Sequence, residues 1–382
     1  VKGFAMNKFN ALILTLLITA SAMSMANPKY MVCANDQRFI LTDGLGKVMD
    51  EPNTGTVTIL DFSAFPPKTT NIYNVPCSVI GPPTCAAVAP DESIAIIAAA
   101  MKVDPNDKTK QIPDNRLTVI DLESKTAVQT IIVGNQPSGI SISKSGTFAL
   151  VCNRADGTLT KLEINAKKVT AKETVKVCDP NESLAHVVIS PDESRALATL
   201  NQAKSALMIP LKNGVPQTNI KRIAVNKGPY VVEFMPDNKT AAVANTMSDN
   251  VSIIEYQGDK IEVKDNPSVA ILPEGMDVSP DGNWMTACCM NNTTIKPDDP
   301  NRQDSSKLVL LKKEGQSFKE VQRLSIDRIA QAAVFSPDMK YVVVTGFENK
   351  RLRIYKFENG KLSDTNILIE TPGQPCALGT AK

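Results

Sequence analysis

Short apolar runs alternate with polar turns from about residue 30 to the end of the chain, and one layout recurs. AAVAPDESIAIIAA from Ala86, SISKSGTFALVC from Ser141, VVISPDESRALATL from Val187, VEFMPDNKTAAVAN from Val232, DVSPDGNWMTACC from Asp277 and AVFSPDMKYVVVTG from Ala333 share it. Each has an apolar run, a polar turn that in five of the six is Pro-Asp, and a second apolar run. Proline presets φ at the first corner of a tight turn, and Asp followed by Gly, Asn, Ser or Lys suits the next positions. Every copy therefore predicts a β-hairpin. A third run with period-2 alternation follows, as in RLTVIDLE, GTLTKLEI, NVSIIEY, KLVLLKK and RLRIYKF, and then a fourth such as AVQTIIVG or KRIAVNKG. Helical periodicity is absent.

The turn anchors Pro90, Lys144, Pro191, Pro236, Pro280 and Pro337 recur every 44 to 57 residues. Four short strands at such a period predict the blades of an all-β propeller. Six anchors give six blades. The C-terminal PGQPCALGT matches a first strand with no second strand after it. The N-terminal part supplies KYMVCAN, TVTILDF and TTNIYNV as second, third and fourth strands. A seventh antiparallel blade shared between the two ends closes the ring and leaves no free sheet edge. Residues 27–382 are expected to form this one seven-bladed domain.

Residues 1–26 read differently. Met6-Asn-Lys is a short basic start, Ala11 to Ala20 an apolar run, and Ser24-Met25-Ala26 offers small residues where a signal peptidase cuts. Residues 1–5 are expected to be start-site residues ahead of Met6. The apolar run is shorter than the roughly 20 residues of a spanning helix. Export to the periplasm or medium follows, with no integral membrane segment after cleavage. Losing Lys2 and Lys8 takes the formal charge from +2 to about zero, which argues against a nucleic-acid partner or a polybasic membrane patch.

Three stretches carry a family resemblance: Tyr341-Val342-Val343-Val344-Thr345, FALVCNRADGTLTKLE from Phe148, and TAAVANTMSDNVSIIE from Thr240. They resemble the YVTN β-propeller repeat, in which a Tyr-Val-Thr-Asn-like strand end precedes a polar turn and Val-X-Val-Ile-Asp. That class includes seven-bladed lactonase-type propellers, and the likeness covers the chain from residue 27 onward. It implies the fold. For activity it implies little, because propellers with this repeat include enzymes, surface-layer proteins and proteins of unknown role.

In a propeller the first strand of each blade lines the central channel, running from an upper face to the lower face that carries the Pro-Asp turns. His186, the single histidine, stands five residues before Pro191 and is placed at the upper mouth. The same offset gives Cys85, Gly139, Val231, Gly275 and Ala332, with Cys376 from the terminal blade. One residue earlier stand Thr84, Ser138, Ala185, Tyr230, Glu274 and Gln331. Alternation lets only one of the two sets face the channel in a given blade, and the sequence does not say which.

His186 with Glu274 is the candidate catalytic pair, and Tyr230, Gln331, Ser138 and Thr84 are the candidate ligand-binding residues. The alternative for His186 is an ordinary half-buried side chain. Three insertions also rise on the upper face, Asn35 to Gly55, Lys102 to Arg116 and Met290 to Lys307, and loops gathered on one face suggest a binding surface. Their Asp104, Asp107, Asp114, Asp298, Asp299 and Asp304 lack the spacing of a calcium loop. No cofactor and no metal is expected.

Eight cysteines are too few for a disulfide scaffold, but in an oxidising compartment some would pair. Topology suggests Cys33 with Cys376, Cys77 with Cys85, and Cys152 with Cys178. Adjacent Cys288 and Cys289 should point to opposite faces, one buried and the other exposed or paired. The primary expectation is a binding protein that takes a protein, glycan or small ligand on its upper face. The alternative is a lactonase-like hydrolase or isomerase using His186, although the arginine, histidine and glutamate set of such lactonases has no residue-by-residue match here.

Overall fold

The computed structural model describes residues 28–42, 45–258 and 260–382. The expected leader, residues 1–26, lies outside them. Among the described residues seven four-stranded antiparallel sheets stand in a ring. Blade 1 is Ala86–Val88, Ile94–Val103, Gln111–Asp121 and Thr126–Ile132. Blade 2 is Pro137–Ile142, Phe148–Asn153, Thr158–Asn165 and Lys168–Lys176. Blade 3 is Leu184–Ile189, Arg195–Leu200, Ser205–Lys212 and Lys221–Ala224, with the short Val215–Pro216 at its edge. Blade 4 is Pro229–Phe234, Thr240–Asn245, Asn250–Gln257 and Lys260–Asp265. Blade 5 is Pro273–Val278, Trp284–Cys289, Ser306–Glu314 and Ser317–Ile326. Blade 6 is Ala333–Phe335, Tyr341–Gly346, Arg351–Glu358 and Lys361–Glu370.

Blade 7 joins the two ends of the chain: Gln374–Thr380 is its inner strand, followed outward by Tyr30–Asp36, Thr56–Asp61 and Lys68–Tyr73. The seam pairs Met31 with Thr380 and Asp36 with Gln374.

The recurring turn explains each hairpin. In Ser190-Pro191-Asp192-Glu193 the Glu193 N–H donates to the Ser190 carbonyl at 2.8 Å, and Ser190 Oγ donates to Asp192 Oδ1 at 2.6 Å. The fourth residue takes a left-handed φ, +59° at Glu193 and +70° at Gly282. A second device recurs at the upper end, where an Asn closes the second strand. Asn153 Nδ2 donates to Thr158 and Thr160 (2.9 and 2.8 Å), and Asn245 Nδ2 donates to Asn250 and Ser252 (both 2.9 Å). These bonds tie the second strand to the third where the backbone ladder ends.

Blades pack on both faces, so successive strand residues enter different cores. Val309 and Leu311 pack with Val251 and Met285 between blades 4 and 5, while Leu308 and Leu310 pack with Val342 and Val344 between blades 5 and 6. The same alternation sends Cys289 into the first core and Cys288 into the second. Both thiols are buried, contrary to the expectation that one would be exposed or paired, because neither face of an inner strand meets solvent.

Two of the three upper insertions are ordered β structure. Asn35 to Gly55 holds a hairpin, Phe39–Thr42 with Leu45–Val48, and Lys102 to Arg116 extends two strands of blade 1 so that Val103 pairs with Gln111. Arg38 Nη1 lies 3.9 Å from Asp114 Oδ2, and Gln111 Nε2 donates to the Gly46 carbonyl at 3.3 Å. The two insertions thus form one platform. The expected disulfides are not formed: all eight thiols are free and buried. Cys376 lies against Cys77 and Cys85, which regroups the thiols across the topological pairings.

Candidate functional site

Strand alternation decides which residues meet the channel. His186 and Val188, Val231 and Glu233, Gly275 and Asp277, Ala332 and Val334 all line a central cavity of about 110 Å³. In blades 3 to 6 the residue five before the turn therefore meets the cavity, whereas in blade 1 the lining residue is Thr84, one position earlier, and Cys85 packs into the core. In the set one position earlier, Tyr230, Glu274 and Thr84 are half-buried, and Ser138 and Gln331 are buried.

His186 is 2% exposed and is held by three consecutive blades. Its ring lies against Gly139 of blade 2, where a Cβ would come within 2.4 Å of Cδ2. Its Nδ1 accepts a 3.2 Å hydrogen bond from the Val232 N–H of blade 4. Burial, and secondarily Lys382, lowers its pKa to about 3, so the imidazole is neutral. The nitrogen that would serve as a base is the one already engaged by the backbone.

Glu274 has different company. Burial pushes its carboxyl up to about 7, against a lowering pull from Arg154. Burial also raises the Tyr230 phenol, with a smaller contribution from Glu274, while Arg154 opposes it through charge and a hydrogen bond. The Arg154 guanidinium carbon is 5.9 Å from the Tyr230 ring centroid, and its Nε donates to Ser183 Oγ at 2.6 Å. Glu274, Tyr230 and Arg154 thus form an electrostatic group at the upper mouth. His186 faces down the channel, where the charge bearing on it is Lys382.

The remaining candidates divide. Ser138 Oγ donates to the Ala185 carbonyl at 2.9 Å and is committed to joining two blades. Thr84 Oγ1 and Gln331 Oε1 are buried without a partner. Buried polar atoms in that condition call for a ligand, water or ion. The sequence reasoning missed Arg154, and the signal for it was its place in the upper turn after the second strand of blade 2. It also missed Gln374, whose Oε1 is buried without a partner at the start of the terminal inner strand.

At the lower end Lys382 Nζ meets Glu233 Oε1 and Asp277 Oδ1, both at 2.8 Å. The two carboxylates are 14% and 4% exposed, and the lysine side chain is 48% exposed. Among the described residues no group of three or more His, Cys, Asp or Glu could hold a metal ion.

Residues 112–272 match the family of cytochrome D1 heme domains. The whole ring is similar to solved propellers. A candidate 6-phosphogluconolactonase from Bacteroides uniformis is 16% identical over 93% of this chain and 100% of its own, with a TM-score of 0.70. The periplasmic gluconolactonase of Pseudomonas aeruginosa is 17% identical over 92% of this chain and 99% of its own, with a TM-score of 0.68. The dihydro-heme d1 dehydrogenase NirN is 15% identical over 93% of this chain and 75% of its own, with a TM-score of 0.57. At these identities the likeness speaks for the fold alone. No curated protein matches the chain.

A heme of the kind named in that family description does not fit the channel that His186 lines. An axial ligand is drawn from His, Cys, Met or Tyr. His186 is enclosed with Nδ1 engaged, and the cavity it lines, about 110 Å³, is far below the roughly 300–1,000 Å³ of ordinary small-molecule sites.

Among the described residues no helix is long and apolar enough to cross a membrane.

Proposed function

We propose that this chain is an exported, periplasmic, single-domain propeller of the YVTN type that opens lactones at its upper mouth, with Glu274 as the proton-transfer group. The observation that carries the reading is a half-buried carboxyl raised to about 7 beside Arg154 and Tyr230. Perturbed carboxyls of this kind gather at functional sites, and a base poised near neutrality is the efficient one. The similarity in fold to the periplasmic gluconolactonase supports the compartment and the substrate class.

The chemistry needs only these residues and water. The Glu274 carboxylate takes a proton from the attacking water as the C–O bond forms. Arg154 and the Tyr230 hydroxyl donate to the carbonyl oxygen as it gains charge. Glu274 then returns the proton to the departing ring oxygen, giving the hydroxy acid. Thr84 and Gln331 hold substrate hydroxyls with their unpartnered atoms. Lactone opening by Glu274 needs no imidazole, and in this reading His186 braces three blades.

The test is a panel of five- and six-membered sugar lactones with wild type, Glu274→Gln and Arg154→Met. Opening by wild type should rise through about pH 7 as Glu274 deprotonates, and fall at least about 100-fold in Glu274→Gln. If wild type opens none of them, the hydrolase reading fails. A second reading then stands: a binding module for a protein or glycan, favoured by the rigid platform that the Arg38–Asp114 contact makes of two upper insertions.

A further inference from the structure

Four of the eight thiols converge where the ring closes, and a bulge brings them together. In the seam Ala34 pairs with Ala377 and Asn35 with Pro375, so Cys376 is the extra, unpaired residue. A bulge re-aims the side chain it carries. The Cys376 thiol donates to the Ala34 carbonyl at 3.3 Å, and the Cys33 thiol approaches the same oxygen at 3.6 Å. The Cys77 thiol donates to the next carbonyl, that of Asn35, at 3.0 Å. Three sulfurs are thereby gathered around two consecutive peptide groups. The Cys376 thiol is also in hydrogen-bond contact with the thiols of Cys77 and Cys85. All four cysteines are at most 3% exposed.

We propose that Cys77 and Cys376 are a disulfide-forming pair that covalently seals the propeller ring, and that the bond is made only while the ring is still open. Cys77 belongs to the segment joining blade 7 to blade 1, and Cys376 to the C-terminal strand. A bond between them encloses 298 intervening residues and adds a covalent tie to a seam otherwise held by backbone pairing. The oxidant is a disulfide donor, either glutathione disulfide or a protein disulfide. The Cys77 thiolate attacks one donor sulfur and expels the first donor thiolate. The Cys376 thiolate attacks the mixed disulfide and expels the second. One S–S bond forms, the two protein thiols give up two protons and two electrons, and the donor is reduced to two thiols.

Timing follows from burial. In the closed ring the sulfurs are shut away from a donor, and contacts with Cys77 and Cys85 together with burial keep the Cys376 thiol protonated. Thiolate character and access both govern the exchange. A ring closed in a reducing compartment therefore stays reduced, and one closed in an oxidising compartment keeps its bond.

The test refolds the full chain from denaturant in a glutathione redox buffer and, separately, in excess dithiothreitol. The dithiothreitol-folded protein is then moved into the glutathione buffer. Each sample is alkylated, digested without reduction and mapped by mass spectrometry. The expected result is a Cys77–Cys376 peptide pair, two hydrogens lighter than its parts, in the first sample and absent from the other two. The first sample should also melt several degrees higher, a difference lost in Cys376→Ser and Cys77→Ser. Cys376 recovered only as the alkylated thiol from the first sample, or linked to Cys33 or Cys85, overturns the pairing. Full crosslinking of the already folded sample overturns the timing. Because the peptide map uses wild type, it holds even if both variants fail to fold.

Discussion

Replacing Glu274 by Gln should make the protein more stable at alkaline pH while abolishing proton transfer. In the unfolded chain the carboxyl titrates near its ordinary 4.5, and in the folded protein burial raises it to about 7. Between those values the folded state holds a proton that the unfolded state has released, so stability falls as pH rises through the window and levels off above about 7. At about 1.4 kcal/mol per tenfold change in proton affinity, the full penalty is about 3 kcal/mol. Gln has the shape of the protonated acid and carries no such penalty. Denaturant unfolding of both proteins at pH 4, 6 and 8 reads it directly: the curves should coincide at pH 4, and the variant should gain about 3 kcal/mol by pH 8. A pH-independent difference between the two proteins would show that Glu274 is not desolvated and would remove the ground for its role.

Other substitutions probe the channel. Gly139→Ala places a methyl group 2.4 Å from the His186 ring and 2.7 Å from its Cα, and should cost about 1–3 kcal/mol in denaturant unfolding. His186→Ala leaves the Val232 N–H unpaired and should lose about 2 kcal/mol or more, while the pH profile of lactone opening keeps its inflection near 7. Lys382→Met strips the cation from Glu233 and Asp277. With the lysine about half exposed, the loss should be about 1–2 kcal/mol at pH 8. It should shrink at acid pH, because burial raises the Glu233 carboxyl and lets it neutralise first.

The ring was legible because a propeller repeats its local chemistry. The Pro-Asp turns, the period-2 runs and the orphan first strand at Gln374–Thr380 each follow from short-range patterns. The upper mouth was partly legible: the offset from each turn located His186 and Glu274, but it took the actual course of each inner strand to show which residue met the channel in each blade, Thr84 in blade 1 and His186 in blade 3. Arg154 escaped because a turn residue gives no period to count. The gathering of Cys376 with Cys77 and Cys85 escaped because Cys376 is a bulged residue, and a bulge leaves no mark in the hydrophobic pattern. The insertions were read as loops because their polar composition hides the pairing of Val103 with Gln111.

The seam of blade 7 also sets how the molecule answers mechanical load. Met31 pairs with Thr380 at one end of the strand pair and Asp36 with Gln374 at the other, so both chain ends leave from the same end of an antiparallel pair. Tension applied through the two ends peels that pair open one rung at a time instead of shearing all its rungs together. A ring closed by this one pair of strands therefore has a zip fastener at its seam, and tethers pulling on Tyr30 and Thr380 would find it first.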